Sequence, residues 1–310
     1  METNNQNPKT NTLASAAPKK IDVLKGILNA QSVQEQFRNA LKENSNTFIA
    51  SVIDLYNNDT DLQKCEPKAV VMEALKAAVL HLPINKALGF AYVVVYNNKK
   101  QLADGSWTKA PTPTFMPGYK GYIQLAMRTG QYRTINADLV YEGEVRKVNK
   151  LTGEIAFDGQ KVSDKIVGYF CYFELLNGFS KTLYMPVNDM ASYAKRYSKS
   201  VKKETTAEML EKLANPESGI FVASNKLGWE GNFNDMGLKT VIRRLLSKYG
   251  YLSIEMQTAM ESDNDIGNDR DDTIAEHANT KELAIQDVSF VDVNNTQNNE
   301  EPPATESVPY

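Results

Sequence analysis

The segment FMPGYKGYIQLAMRTGQYRTINADLVYEGE, residues 115–144, sets cationic and aromatic side chains around one short helix and the strand after it. On a helix from Tyr119 to Thr129, Lys120, Gln124 and Arg128 recur every fourth residue and share a face. Tyr122, Ile123, Ala126 and Met127 fall on the other face, to be buried. Fixed cations suit phosphate oxygens and flat rings suit unpaired bases, so the chemistry is that of a surface for a nucleic-acid strand. Tyr119 and Arg133, at its two ends, complete the candidate set in this segment.

Two further clusters have the same character. The helical stretch DMGLKTVIRRLLSKYG, residues 235–250, puts Leu238, Val241, Ile242 and Leu245 on an apolar stripe and Lys239, Arg243, Arg244 and Lys248 on the polar side. Within that helix Asp235 is spaced to pair with Lys239, which leaves the other cations for phosphates. Lys195, Arg196 and Lys199 surround Tyr197 in the third cluster. Tyr119, Tyr122, Tyr132, Tyr193 and Tyr197 are interleaved with these cations, and a stacked base is worth about 1–3 kcal/mol. Any one cluster alone is also what a solvated helix face looks like, and any one tyrosine is also ordinary core packing. The three clusters together point to a single strand.

Other chemistries find little material. There is no G-x-x-x-x-G-K-[ST] phosphate loop, and the pair Gly118 and Gly121 lacks the third glycine of a dinucleotide fingerprint. Two histidines, His81 and His277, leave little for imidazole catalysis or a His/Cys metal site. The acidic run from Asp263 to Asp272 places Gly267 wrongly for a calcium loop. Asp138, Glu142 and Glu144 could hold magnesium for a nuclease, but they have no fixed third ligand. No catalytic residue, metal or cofactor is expected, and the chain reads as a non-enzyme.

The elements that must position these residues lie within one body. The chain has 310 residues, 42% of them hydrophobic, enough for a full core. Residues 1–20 and 261–310 lack apolar periodicity and read as a disordered arm and an acidic disordered tail, leaving 21–260 as one elongated α+β domain. The net charge of −3 conceals an asymmetry: residues 21–260 hold 30 Lys and Arg against 24 Asp and Glu, residues 261–310 hold 2 against 13. A basic body with an acidic tail suits nucleic-acid binding, since the tail competes for the basic surface; a purely solubilising tail is the plainer alternative. Cys65 and Cys171 give no disulfide framework. With no secretory h-region and no apolar run of membrane length, a cytoplasmic protein is expected.

The periodicity predicts three helices between Ile21 and His81, a strand over 88–96, a turn or mobile loop over 97–111 and a strand from Thr112 to Met116. Strands follow at Thr134–Tyr141, Glu154–Phe157, Lys165–Leu176 and Lys181–Pro186 as an antiparallel meander. A helix capped by Asn188 or Asp189 runs to Tyr197, a mobile charged connector occupies 198–216, and a last helix starts at Asn234 or Asp235 and ends near Tyr249.

Three motifs carry a family resemblance: LPINKALGFAYVVVYNN (82–98), MPGYKGYIQLAMRTGQYRTINADLVYEGE (116–144) and MGLKTVIRRLLSKYGYLSIEMQTAM (236–260). In this order and spacing, across roughly residues 25–260, the chain resembles the RecT-type phage and prophage single-strand annealing proteins. The resemblance implies a fold related to the single-strand annealing core. It also implies a metal- and ATP-independent protein that binds single-stranded DNA and holds the annealed duplex. Such a protein assembles into homo-oligomeric rings or filaments and works in homologous recombination with a partner exonuclease. A host single-strand-binding protein is a further candidate partner, and no membrane is involved. By position, the family's basic roles fall on Lys120, Arg128, Lys199, Lys239, Arg243, Arg244 and Lys248. Gly237 and Leu238 depart from the alanine and basic residue more usual there, and Asn85-Lys86 from a glutamate-proline pair. The expectation is a basic groove, continuous between protomers, holding a strand by its phosphates. A passive single-strand-binding protein, a nuclease and a phage structural protein with an acidic partner are the alternatives.

Overall fold

A computed structural model describes residues 19–101, 105–149, 151–198, 200–216 and 228–263; the expected tail from residue 264, the arm before Lys19, and Lys199 lie outside the described residues. Among the described residues the N-terminal region holds four α-helices rather than three: α1 (Lys20–Asn29), α2 (Gln31–Leu41), α3 (Ser45–Asn58) and α4 (Pro67–Val79). The extra break comes at Ala30, whose backbone is extended at φ −62° and ψ 132°. Lys42, at φ 53°, separates α2 from α3. Neither break carries the Gly or Pro that marks a helix end in sequence. Leu24, Leu28, Phe37, Val52 and Tyr56 bury the inner faces, and α4 packs against the ribbon that follows.

That ribbon is a long antiparallel hairpin of β1 (Ala91–Gln101) and β2 (Trp107–Pro117), paired from Ala91↔Pro117 to Gln101↔Trp107. Most of the loop expected over 97–111 is therefore strand. Helix α5 (Tyr119–Arg128) leaves β2 directly, and its start lies against the 89–90 backbone. A Cβ at Gly118 would stand 2.1 Å from the Gly89 carbonyl oxygen, and one at Gly121 would stand 2.2 Å from that of Phe90. The G-x-x-G spacing thus serves backbone contact, not phosphate.

The central sheet has the order β3-β6-β7, from β3 (Tyr132–Tyr141), β6 (Ile166–Leu175) and β7 (Ser180–Pro186), all antiparallel. The strand expected over 154–157 is outside this meander: β4 (Lys147–Val148) and β5 (Ile155–Ala156) form their own small hairpin in the β3–β6 connection. Tyr169, Cys171 and Phe173 of β6 are fully buried, on the face covered by α6 (Val187–Tyr197) and α8 (Phe233–Tyr249). Burying a side chain such as Phe173 is worth about 3 kcal/mol. Phe170 and Tyr172 point to the other face, where Phe157 packs on Phe170 at a ring distance of 4.7 Å.

Helix α6 begins at Val187 behind its N-cap Pro186, so its cap lies two or three residues before the expected Asn188 or Asp189. The connector expected to be mobile holds a short helix α7 (Ala207–Lys212), started by the Thr206 side chain accepting the Met209 amide. After α8 comes α9 (Ile254–Ser262), capped by Ser253 and lying on α5 and β2. Asp263 behind it is buried, so the folded region continues past residue 260. Cys65 and Cys171 are both free and buried, and burial pushes the Cys171 thiol up to about 12. No described helix is long and apolar enough to cross a membrane.

Candidate nucleic-acid interface

Two of the three predicted clusters meet, because α6 and α8 both pack on β6 and β7 and Arg244 of α8 reaches Tyr193 of α6. On α8, the i, i+4 spacing keeps Arg244 and Lys248 on one outward face. The Arg244 guanidinium lies 4.8 Å from the Tyr193 ring centroid and donates to the Met185 sulfur at 3.5 Å. Tyr193 packs on Tyr197 at 4.7 Å, and the Arg196 guanidinium lies 5.1 Å from the Tyr197 ring. Arg196, Tyr197, Tyr193 and Arg244 thus form a continuous stack of two rings between two cations, with Tyr193 buried at its centre.

The row continues toward the sheet. Lys248 stands 5.3 Å from the Tyr249 ring, and Lys181 of β7 stands 5.5 Å from the same ring. Lys181 also donates to the Thr152 carbonyl at 3.0 Å and so ties the β4–β5 hairpin to β7. Beside it an open cleft of ≈ 350 Å³ is lined by Asn136, Thr152, Phe170, Tyr172, Lys181 and Thr182. Its volume is at the lower end of the range for small-molecule pockets. Lys181 escaped the sequence reading because no spacing pairs it with the cations and rings of α8, and Tyr249, next to Lys248, stood out only as the helix end. Only the packing of α8 on β7 brings them together.

The other predicted residues have different surroundings. Lys120 is exposed at the start of α5, beside Tyr119 and facing Asp235 of α8. Burial, opposed by Lys120, raises the Asp235 carboxyl above its ordinary value. Burial, and then Asp235 and Asp138, raise the Tyr119 hydroxyl. Asp235 therefore faces Lys120, whereas the expected helix pair was with Lys239. Gln124 is half-buried on the same helix. Arg128 is exposed, but its guanidinium donates to the Leu80 and His81 carbonyls, each at 2.7 Å, and so closes the end of α4. Arg133 is bound to Glu174 across the sheet at 2.7 Å. Lys195 is half-buried and donates to the carbonyls of Lys202 and Lys203.

Two members of the polar side predicted for α8 are not on the surface. Lys239 is 2% exposed and Arg243 6%. The expectation that they face solvent overlooked α5, which packs on this face of α8, and the end of α9, whose Met260 carbonyl and following Asp263 they meet. Lys239 pairs with Asp263 at 2.8 Å, and both side chains are buried. Of Lys120, Arg128, Arg243 and Arg244, which were expected to share one trough, Arg243 is enclosed and Arg128 is committed to α4. Lys199 lies outside the described residues.

The chain is 38% identical over 288 residues to the protein named "Uncharacterized protein YqaK" of Bacillus subtilis (strain 168), covering 93% of this chain and 86% of that relative. It is 26% identical over 252 residues to "Protein RecT" of Escherichia coli (strain K12), covering 81% of this chain and 83% of that protein. The RecT family model matches residues 46–277, three quarters of the sequence, and the chain belongs to the RecT family.

Proposed function

We propose that this protein binds single-stranded DNA along the row Arg196, Tyr197, Tyr193, Arg244, Lys248, Tyr249 and Lys181, and anneals complementary strands there. Membership of the RecT family supports a role in single-strand annealing recombination. The observation that carries the choice of surface is the run of four cations and three rings in contact across α6, α8 and β7. Cations track a phosphate backbone and rings take bases of any identity, so binding is nearly blind to sequence and sensitive to salt. The cleft beside Lys181 offers Tyr172 and Phe170 to a base at the end of the row.

Annealing on this reading needs no ATP. Duplex formation supplies the free energy, and the protein lowers the cost of aligning two unstacked strands. A row of this length holds only a few nucleotides, so copies of the chain join head to tail, in a ring or a helical filament, to make the groove continuous. Lys120, Gln124 and Tyr119 belong to a second contact at the start of α5. A nuclease that produces single strands is the partner this activity requires.

The test is the pair Arg244→Ala and Lys248→Ala together, with binding of a poly-dT oligonucleotide followed by fluorescence anisotropy across a salt series. Each lost phosphate contact lowers the slope of log K against log salt by about 0.7, so the double variant flattens it by about 1.4 and weakens binding to all sequences alike. Pairing of two dye-labelled complementary oligonucleotides slows in parallel, without ATP in either case. An unchanged slope removes this face from the interface. Binding without faster pairing reduces the protein to a passive coat.

A further inference from the structure

Behind α9 lies an anion site that the row above does not use. Lys239 and Arg243 stand one turn apart on α8, and Tyr122 stands opposite on α5. Lys239 and Tyr122 reach one carboxylate, and Arg243 stands beside Tyr122. The Lys239 ammonium reaches Asp263 Oδ1 at 2.8 Å, and the Tyr122 hydroxyl donates to Oδ2 at 2.8 Å. Arg243 faces the same hydroxyl. Burial above all, and then the Asp263 charge, push the Tyr122 hydroxyl well above its ordinary value, with Arg243 opposing.

Two features set this cluster apart from an ordinary structural ion pair. The first is its charge. Two cations stand by one carboxylate, which pairs with Lys239, and the second is incompletely satisfied: Arg243 shares the Tyr122 hydroxyl and reaches the Met260 carbonyl at 3.5 Å, but its Nε is buried with no hydrogen-bond partner. A fold that needed only a staple has no use for the surplus, because an apolar pair of the same volume stabilises as well or better. The second is the slightness of what carries the carboxylate. Helix α9 has nine residues, of which Met256 and Ala259 are buried, and Ile254 at its start is 80% exposed. Asp263 is also the last residue before a stretch, 264–310, with 11 acidic residues against 2 basic ones.

We propose that the Asp263 carboxylate is an internal substitute for a DNA phosphate, filling a site built by Lys239, Arg243 and Tyr122, and that single-stranded DNA displaces it together with α9. This rests on the reading that the protein binds single-stranded DNA. Loading of DNA is then coupled to undocking of α9, which adds two cations to the interface. A state with α9 undocked exists at low population in the free protein, and a ligand that prefers it shifts the balance.

The experiment has two arms on the full chain. In the first, hydrogen exchange of the α9 amides is measured in the wild-type protein with and without poly-dT. The expected result is faster exchange over residues 257–262 when DNA is bound; equal or slower exchange overturns the proposal. In the second, Asp263→Asn is compared with wild type for poly-dT affinity across salt. Two additional phosphate contacts steepen the slope by about 1.4 and raise affinity severalfold at low salt. Adding Lys239→Met and Arg243→Met to Asp263→Asn returns the slope to the wild-type value. An Asp263→Asn protein with unchanged slope makes the cluster a structural staple and ends the proposal. If Asp263→Asn fails to fold, the first arm decides alone. Failure of wild-type protein to bind poly-dT sinks the parent reading instead, so the two failures are separable.

Discussion

Two physical effects oppose each other at Gly237. Alanine in a helix interior is favoured over glycine by about 1 kcal/mol, which suits the alanine more usual at this position in the family. Here, however, a Cβ would lie 2.8–3.0 Å from three atoms of the Tyr169 ring. That ring is fully buried, and its hydroxyl is fixed to Asn234 at 2.6 Å, so it has nowhere to go. Overpacking of this kind costs about 1–3 kcal/mol and outweighs the propensity gain. Gly237→Ala is therefore expected to lower stability by about 1 kcal/mol, read as a lower urea midpoint at unchanged slope. Tyr169→Phe keeps all three offending atoms and leaves that loss in place. In a Tyr169→Leu background the same substitution becomes neutral or stabilising; a loss that persists there would show that the ring is not the cause. The glycine was visible in the sequence as a departure, but its reason sits 68 positions away in β6 and could not be read from the helix itself.

The ribbon β1–β2 shows why an element can hide in plain view. Its second strand reads TKAPTPTFMP, and three prolines in so short a stretch argue for a loop, since proline cannot donate to a ladder. The register removes the objection. Pro111, Pro113 and Pro117 share alternate positions with Phe115, whose amide points away from β1 and donates to Glu73 Oε2 at 2.7 Å. The missing N–H groups are therefore the outward ones, and the hydrogen bonds to β1 are untouched. The same prolines make that edge a poor template for another strand, a common protection for exposed sheet edges. Lys109→Pro, in the proline register, is expected to change stability by less than about 0.5 kcal/mol. Thr112→Pro, whose amide faces Tyr96 across the ladder, is expected to cost about 2 kcal/mol or more. Equal effects in urea unfolding would mean the register is otherwise. The helices α1 and α2 escaped separation for the converse reason: Ala30 breaks the chain direction with no residue type that announces it.

For the whole molecule, sequence alone recovered the α+β class, the three long antiparallel strands β3, β6 and β7 and the buried stripe of α8, because strict periodicity and turn residues report them locally, but it set the strand near 154–157 between them. It could not distinguish a cation facing water from one facing a later helix, since Lys239 and Arg243 follow the same polar spacing as Arg244 and Lys248. Their fates are set by α5, the end of α9 and Asp263, and Asp263 lies in the stretch that composition assigned to the start of the tail. Charge has the same long reach. Ending the chain after Asp263 removes 11 acidic and 2 basic residues and leaves a protein of net charge +6, while α9 and its buried carboxylate stay in place. If the acidic stretch competes with DNA through its field, the shortened protein binds poly-dT several times more tightly at low salt. The gain fades as the screening length falls from about 10 Å at 0.1 M salt to about 3 Å at 1 M. Faster association accounts for most of it, because a field acts on encounter more than on the docked complex. A tail that only solubilises leaves both the affinity and the association rate unchanged, and stopped-flow mixing of the two proteins with labelled oligonucleotide at several salt concentrations decides between them. Because Asp263 is retained in both, any effect seen is that of the acidic field and not of the carboxylate beneath α9.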